Sequence, residues 1–297
     1  MSLIKCLVAL VVFNNSDSLE EAVRKIPQNC GLIIVHNDQP YQEDSVNSIL
    51  AGREITNIYN GNQGMLAGAY NRIIFNIEMT SNYSHLILLD QDSDTSQMEK
   101  FIAGYAGNFD LDHDRTICAP LYVDRGTMRG VRVVRFNKIG FRIIDLNKND
   151  SRYVHCSCII NSMAIIPIQL ARRIGGWDEK IGLDHIDTDF CLKALKNKCS
   201  LIYDTKSSFL HSIGDRKMVS FLGFSIQSTF HSDFRVGLIF MNSATLFKRY
   251  LFSRFMLNFI PLLIFRMLYD LLGIILIEKS PSKFFISCKM FVKGLFR

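Results

Sequence analysis

His85-Leu86-Ile87-Leu88-Leu89-Asp90-Gln91-Asp92-Ser93 is the stretch that decides the fold. A short, continuous apolar run bounded by polar residues reads as a strand covered on both faces. It ends in two carboxylates one residue apart. In an open α/β sheet that end lies at the carboxyl edge, where such sheets bind ligands. Carboxylate oxygens suit hard divalent cations such as Mg2+ or Mn2+, which in turn bind phosphates. The stretch therefore points to a metal–diphosphate site and a nucleotide ligand. Paired acids at a strand end also cap helices, so the neighbouring segments must decide.

Upstream, Val8 to Phe13 is a second apolar run, ending in Asn14-Asn15-Ser16. Asp17 or Ser18 is placed to cap a helix that passes Val23 and stops before Pro27. Gly31 to His36 is a third run and ends in Asn37-Asp38; Asn57 to Tyr59 is a short fourth. Asn60-Gly61-Asn62-Gln63-Gly64 then leads into a predicted helix from Met65 to Glu78. Strands alternating with helices give a mostly parallel α/β sheet. Further on, Ile117 to Pro120 starts a strand, 122–153 reads as an irregular or antiparallel excursion, and Cys158 to Ile166 is apolar again. Helices are expected at Ile168 to Ile174 and Asp187 to Lys198.

Composition narrows the class. The chain has 297 residues, 48% of them hydrophobic, and a formal charge of +6. Residues 248–297 carry nine Lys/Arg against Asp270 and Glu278, a local charge of +7, which leaves −1 for the rest. The basicity thus belongs to the tail, and the acidic loops before it argue against a nucleic-acid partner. Phe255 to Ile277 is apolar but interrupted by Pro261, Arg266 and Asp270. Arg266 and Asp270, four apart, are spaced to pair on a helix. Basic flanks and a central ion pair fit a helix lying in a membrane interface better than a span; packing in a bundle or a homodimer is the alternative burial. Residues 6–13 are too short and β-branched for a signal-peptide core. The eight cysteines are scattered without zinc spacing and read as reduced thiols. A cytoplasmic, peripheral location on the inner face of the plasma membrane is expected.

The order Asn14-Asn15, Asn37-Asp38, Asn60-Gly61-Asn62-Gln63-Gly64 through Asn71, then Asp90-Gln91-Asp92-Ser93 resembles the inverting family 2 glycosyltransferases of GT-A fold. Leu-Leu-Asp-Gln-Asp-Ser looks most like the bacterial rhamnosyltransferase subgroup of O-antigen and lipopolysaccharide synthesis. The resemblance spans about residues 5–215, so a catalytic domain is expected at 1–215 and a helical, membrane-associating appendage at 216–297. It implies that Asn14, Asn37, Asp38, Asn60, Gly64, Asn71 and Asp90 hold the nucleotide-sugar. It also implies that Asp92 and His211 bind Mn2+ or Mg2+. Ile174-Gly175-Gly176-Trp177-Asp178-Glu179 and Asp184-His185-Ile186-Asp187-Thr188-Asp189 resemble the family's acceptor segment. By register Asp187 is the general base, with Asp184 the competing candidate, and Trp177 and Asp189 lie on the acceptor side. As helix-start acids, Asp187 and Asp189 also suit the helix dipole.

The expected reaction is inverting transfer of a sugar, best L-rhamnose from dTDP-rhamnose, to a polyprenyl-diphosphate-linked saccharide. A UDP-sugar donor (galactofuranose or a hexopyranose) is the alternative. A nucleotidyltransferase would want a Gly-rich, Lys/Arg-bearing segment after the first strand, and residues 9–18 have none of these residues. A Walker-type loop is excluded because no Gly-Lys-Ser/Thr follows the glycines.

Overall fold

A computed structural model describes residues 4–13, 23–38, 55–91, 93–124, 128, 130, 132–146, 150–211, 217–221, 224–228 and 230–297. The predicted cap at Asp17 or Ser18 lies outside the described residues, as do Asn14 and Asp92. The described strands form an eight-stranded sheet in the order β3-β2-β1-β4-β9-β5-β10-β8. Its strands are β1 (Cys6–Val12), β2 (Gly31–His36), β3 (Thr56–Tyr59), β4 (His85–Asp90), β5 (Thr116–Asp124), β8 (Tyr153–His155), β9 (Ile165–Pro167) and β10 (Ser200–His211). β1 runs parallel to β2 and β4, β2 to β3, and β5 to β10. Short β9 is antiparallel to both β4 and β5, and β8 is antiparallel to β10.

The apolar runs form the centre of this sheet because both faces are covered. Leu7, Ala9 and Val11 of β1 enter one core, and Cys6, Val8, Leu10 and Val12 enter the other. β4 does the same, with Leu86 and Leu88 on one side and Ile87 and Leu89 on the other. This is the period-two alternation of a strand. Helix α1 (Met65–Ile74) covers the first face through Tyr70, Ile73 and Ile74, and α2 (Met98–Ala106) covers the second through Met98, Phe101 and Tyr105. Helices α3 (Ile168–Arg173) and α4 (Ile186–Lys196) join α1 on the first face. By alternation Asp90 belongs to that face too.

Three boundaries differ from the sequence reading. The helix expected to run to Glu78 ends at Ile74, because Asn76 caps a new turn, Ile77–Thr80, by accepting from the Met79 N–H. β5 passes through Pro120 to Asp124. Pro120 pairs with Asp204 at the register shift between Asp204 and Ser208, where a missing N–H is tolerated. Of the apolar segment 158–166, only its end becomes strand β9. The excursion contains the hairpin β6 (Arg132–Phe136) and β7 (Phe141–Asp145), and a second hairpin, β11 (Lys217–Phe221) and β12 (Phe224–Ser228), follows β10.

The carboxyl-terminal segment forms α5 (Asp233–Tyr250), α6 (Phe259–Gly273) and α7 (Pro281–Leu295), with a π-helical turn at Ile274–Glu278. Leu246, Tyr250, Phe255, Phe259, Ile260 and Leu263 pack into the first-face core. α7 lies close against α5 because Gly294 has no side chain: a Cβ there would stand 2.3 Å from the Met241 carbonyl oxygen. Gly294→Val is therefore expected to destabilise the chain by about 1–3 kcal/mol through overpacking, read as a lower urea midpoint.

Candidate active site

The parallel strands β1, β2, β3 and β4 deliver their carboxyl ends to one edge. There Asn37 N–H bonds to the Val12 carbonyl at 2.9 Å, and Asn60 N–H bonds to the His36 carbonyl at 2.9 Å. Asn60 Nδ2 donates to Asn37 Oδ1 at 2.6 Å and to the Gln63 carbonyl at 2.9 Å. Arg72 of α1 closes the loop, donating to Asn60 Oδ1 at 2.7 Å and to Gln63 Oε1 at 2.8 Å. Asn37 and Asn60 were expected to hold the nucleotide directly. Their side chains are instead buried and spent on each other, on Asn62 and on Arg72, so they shape the loop. Asp38 follows them half-exposed at the same edge. Gly64 turns the chain into α1 with φ +65°, where a Cβ would meet Glu179 Oε2 at 2.8 Å. Only glycine suits both that conformation and that approach.

Asn71 is also a correction. Its Nδ2 donates to the Trp177 carbonyl and to Glu179 Oε1, both at 2.8 Å, and its Oδ1 accepts from Trp177 N–H at 3.0 Å. It is a clamp between α1 and the 176–179 loop, with its amide spent within the protein. Trp177 was expected to face an acceptor. It is 2% exposed, stacked on Phe190 at 4.3 Å and edge-on to Tyr70 at 5.0 Å, because this aromatic column fills the space under α4. Asp189 likewise points inward and is fully buried. It pairs with Lys193 at 3.0 Å and Arg249 at 2.7 Å, and accepts from Tyr250 Oη at 2.8 Å. It anchors α5 to α4 and is not free to meet an acceptor.

Asp90 and Asp187 are brought together. Asp90 ends β4 in a tight turn: Ser93 N–H donates to its carbonyl at 3.0 Å, and its own N–H donates to Ser93 Oγ at 3.0 Å. Gln91 accepts from the Phe13 N–H at 3.0 Å and ties this turn to the end of β1. Asp187, half-buried in the first turn of α4, faces Asp90. Burial first, then the charge of Asp90 and more weakly that of Asp184, push its pKa up to about 7, against the pull of the Asn161 N–H. The pKa of the buried Tyr70 hydroxyl is raised by burial and then by the Asp90 and Asp187 carboxylates. Asp184, the competing base candidate, is held by Arg235 at 3.1 Å. His185 starts α4 in the left-handed region at φ 70°, and its Nε2 lies 2.9 Å from Ser243 Oγ. Asn242 Nδ2 donates to the carbonyls of Ile181 and Asp184. Helix α5 thus sets the loop that aims Asp187.

His211 closes β10 opposite Asp124, at the same edge of the sheet. Among the described residues no group of three His, Cys, Asp or Glu side chains forms a metal centre, and Asp92 lies outside them. The described residues place two carboxylates near one another there, and burial first, then the charge of Asp90, raises the Asp187 carboxyl into the neutral range. Tyr70, Arg72, Asn161 and Glu179 escaped the sequence reading. Only their company in the Gly64–Asn71 and Trp177–Glu179 segments marked Tyr70 and Glu179, and nothing in the sequence marked Arg72 or Asn161.

No family model matches the chain. It is 24% identical over 246 residues to the dTDP-rhamnosyl transferase RfbF of Shigella flexneri, covering 80% of this chain and 74% of that protein. Its fold matches S. aureus TarS residues 1–349 with a TM-score of 0.58 at 11% identity, over 98% of this chain and 81% of that one. It matches GalNAc-T7, solved with UDP, GalNAc and Mn2+, with a TM-score of 0.55 at 12% identity. That match covers 93% of this chain but 57% of GalNAc-T7. The chain has the GT-A fold of these solved glycosyltransferases, and its sequence is similar to that of a dTDP-rhamnosyl transferase. The mostly parallel sheet is the frame that the solved glycosyltransferases share with it.

The raised pKa of Asp187 has a consequence for stability. Its unfolded value is near 3.8 and its folded value about 7, so the native state binds the extra proton between them. Stability contributed at this site is full below the unfolded value and is lost as pH rises toward 7. Asp187→Asn is expected to raise the melting temperature at pH 8 relative to wild type, with the gain vanishing below about pH 4. Thermal melts across pH check it.

Proposed function

We propose that this protein is an inverting, metal-dependent glycosyltransferase that moves L-rhamnose from dTDP-rhamnose to a lipid-linked saccharide in bacterial surface-polysaccharide synthesis. The observation that carries this reading is Asp187, a carboxylate with pKa near 7 facing Asp90 at the carboxyl edge of a GT-A sheet. A general base works best when its pKa lies close to the working pH. Asp187 takes the proton of the acceptor hydroxyl as that oxygen bonds to the anomeric carbon. The bond from that carbon to the diphosphate breaks on the opposite side, so the configuration inverts and dTDP leaves. The ion pair with Arg235 holds Asp184 as a charged neighbour of the base. Asp90 and Asp38 are assigned to the donor, with Gly64 and Asn14 beside it, and Asp92 with His211 to the cation. A divalent cation bound there supplies positive charge to the departing diphosphate.

Residues 1–215 are assigned the donor chemistry and 216–297 the membrane contact. Helix α6 and its π-helical turn form an apolar segment from Phe259 to Glu278, long enough to cross a bilayer and only 22% buried in its most apolar window. Ile264, Phe265, Leu268, Leu272 and Ile275 are all exposed. At about 100° per residue they fall within roughly a 100° arc. In α7, exposed Phe285, Val292 and Phe296 share a face rimmed by Lys289 and Lys293, and the helix has no acid. Arg266 and Asp270 pair at 3.0 Å in the middle of α6. An apolar stripe, basic rims and a central ion pair support a helical layer lying on an anionic, cytoplasm-facing membrane surface.

Donor preference is read by dTDP or UDP release from dTDP-rhamnose, UDP-galactofuranose and UDP-hexopyranoses, with and without Mn2+. Cation-stimulated release from dTDP-rhamnose, reduced roughly 100- to 10,000-fold in Asp187→Ala, is expected; preference for a UDP-sugar would replace the donor assignment. For the membrane, co-sedimentation with anionic but not neutral vesicles is expected, and Phe265→Asp with Leu268→Asp should abolish it.

A further inference from the structure

After α5 the chain turns through residues 251–258 before α6 begins. The turn leaves Phe252 92% exposed, more than any other large apolar side chain described. Beside it lies an open basin of about 780 Å3, bounded by Lys193 and Lys196 of α4, Arg249 and Tyr250 of α5, and Phe252 and Arg254 of the turn. Its cations fall into two sets. Lys193 and Arg249 both pair with buried Asp189, and Arg249 also with Asp178, so these four groups cancel in charge. Lys196 and Arg254 are exposed and meet no carboxylate among the described residues. Arg254 lies over the Phe255 ring at 4.9 Å and donates to the Leu195 carbonyl at 3.3 Å, which holds it next to Lys196. Lys248 Nζ donates to the Leu295 carbonyl at 3.2 Å and joins this corner to the end of α7, where Phe296 is 85% exposed and Lys293 is exposed with it.

A single exposed phenylalanine is ordinary. Two of them at adjoining helix ends, among Lys196, Lys248, Lys293 and Arg254 with no acid to neutralise these four, form a different surface. Its apolar rings suit the boundary between headgroups and acyl chains, and its cations suit the phosphates just above. The corner continues the exposed face of α7. A second copy of the chain docked here would set these cations against their own counterparts, which repel. Position along α4 matters too. Lys196 ends the helix and Asp187 lies in its first turn, roughly 14 Å away along the axis. A headgroup held at Lys196 therefore keeps the acid within reach of a saccharide that stands on a lipid.

We propose that this corner is a headgroup site for anionic phospholipid: Lys196 and Arg254 hold the lipid phosphate in the basin while Phe252 enters the bilayer beside it. This rests on the reading of residues 216–297 as the membrane contact, and adds to it a catalytic-domain residue, Lys196, and the lipid chemistry that the contact selects. The guanidinium and the ammonium donate charge-assisted hydrogen bonds to the phosphate oxygens. Lys193 and Arg249 stay with their acids, so the site gains its net charge from the two exposed cations alone.

The test uses the full chain and vesicles of phosphatidylcholine with phosphatidylglycerol added. Lys196→Gln combined with Arg254→Gln is expected to weaken vesicle binding roughly 10- to 30-fold and to flatten its salt dependence, with the melting temperature unchanged. Phe252→Trp reads the position directly: its indole fluorescence should be quenched when the vesicles carry brominated acyl chains, whereas Trp177, 2% exposed in the core, should not respond in the wild type. Undiminished affinity of the Lys196/Arg254 variant, or a Phe252→Trp indole that brominated lipid leaves unquenched, would overturn the proposal. So would saturable binding of glycerol phosphate that the double variant loses while its vesicle affinity holds, which would assign the basin to a soluble anion. Failure of the underlying reading looks different: the wild type would then sediment with no vesicle at all, whatever stands at 196, 252 and 254.

Discussion

Crowding of two carboxylates, Asp90 and Asp187, is the constraint on which the site depends. Like charges do not approach in a half-buried setting unless the scaffold forces them together. Here the force is distributed. Asp90 is fixed by the centre of the sheet and the Ser93 turn, and Asp187 by the start of α4. The start of α4 is set in turn by the Asn71 clamp on the loop before it and by Asn242, Ser243 and Arg235 of α5. The result is an acid that changes charge near pH 7, which folding alone would not favour.

That arrangement explains why so much polar machinery near the site is spent on protein rather than offered to a ligand. Asn37, Asn60, Asn71 and Asp189 look like ligand contacts when read along the chain. In space they are the bolts of the cradle: three join loops to the sheet or to α1, and Asp189 ties α5 to α4 through Arg249 and Tyr250. Buried polar groups are satisfied by one another because the cost of leaving them unpaired is high. Asn161 stands out against that rule.

The carboxyl-terminal helices serve two ends with two faces. Inward, Phe255, Phe259 and Leu263 complete the core and α5 braces the loop before Asp187. Outward, α6 and α7 leave Phe265, Leu268, Phe285 and Phe296 uncovered. The inward face explains why the tail cannot be read as a detached appendage, although its composition changes sharply after residue 248.

Local rules were enough for one half of the sheet, strands β1 to β4, but did not find β8 or β10. Apolar runs of strand length at 6–13, 31–36 and 85–90, ended by polar residues, left the chain little choice but buried parallel strands with Asp90 at the edge. The family resemblance marked Asp187, and composition marked the apolar, basic tail. Long-range pairing decided the rest. Whether an asparagine is a ligand contact or a bolt depends on which group stands across from it, and for Asn71 that group lies 106 residues away. Burial of Trp177, pairing of Asp184 with Arg235 and isolation of Asn161 are set by packed neighbours from distant segments. Sequence pattern fixes which residues reach the edge of the sheet; only the fold fixes which of them are left with their chemistry unspent.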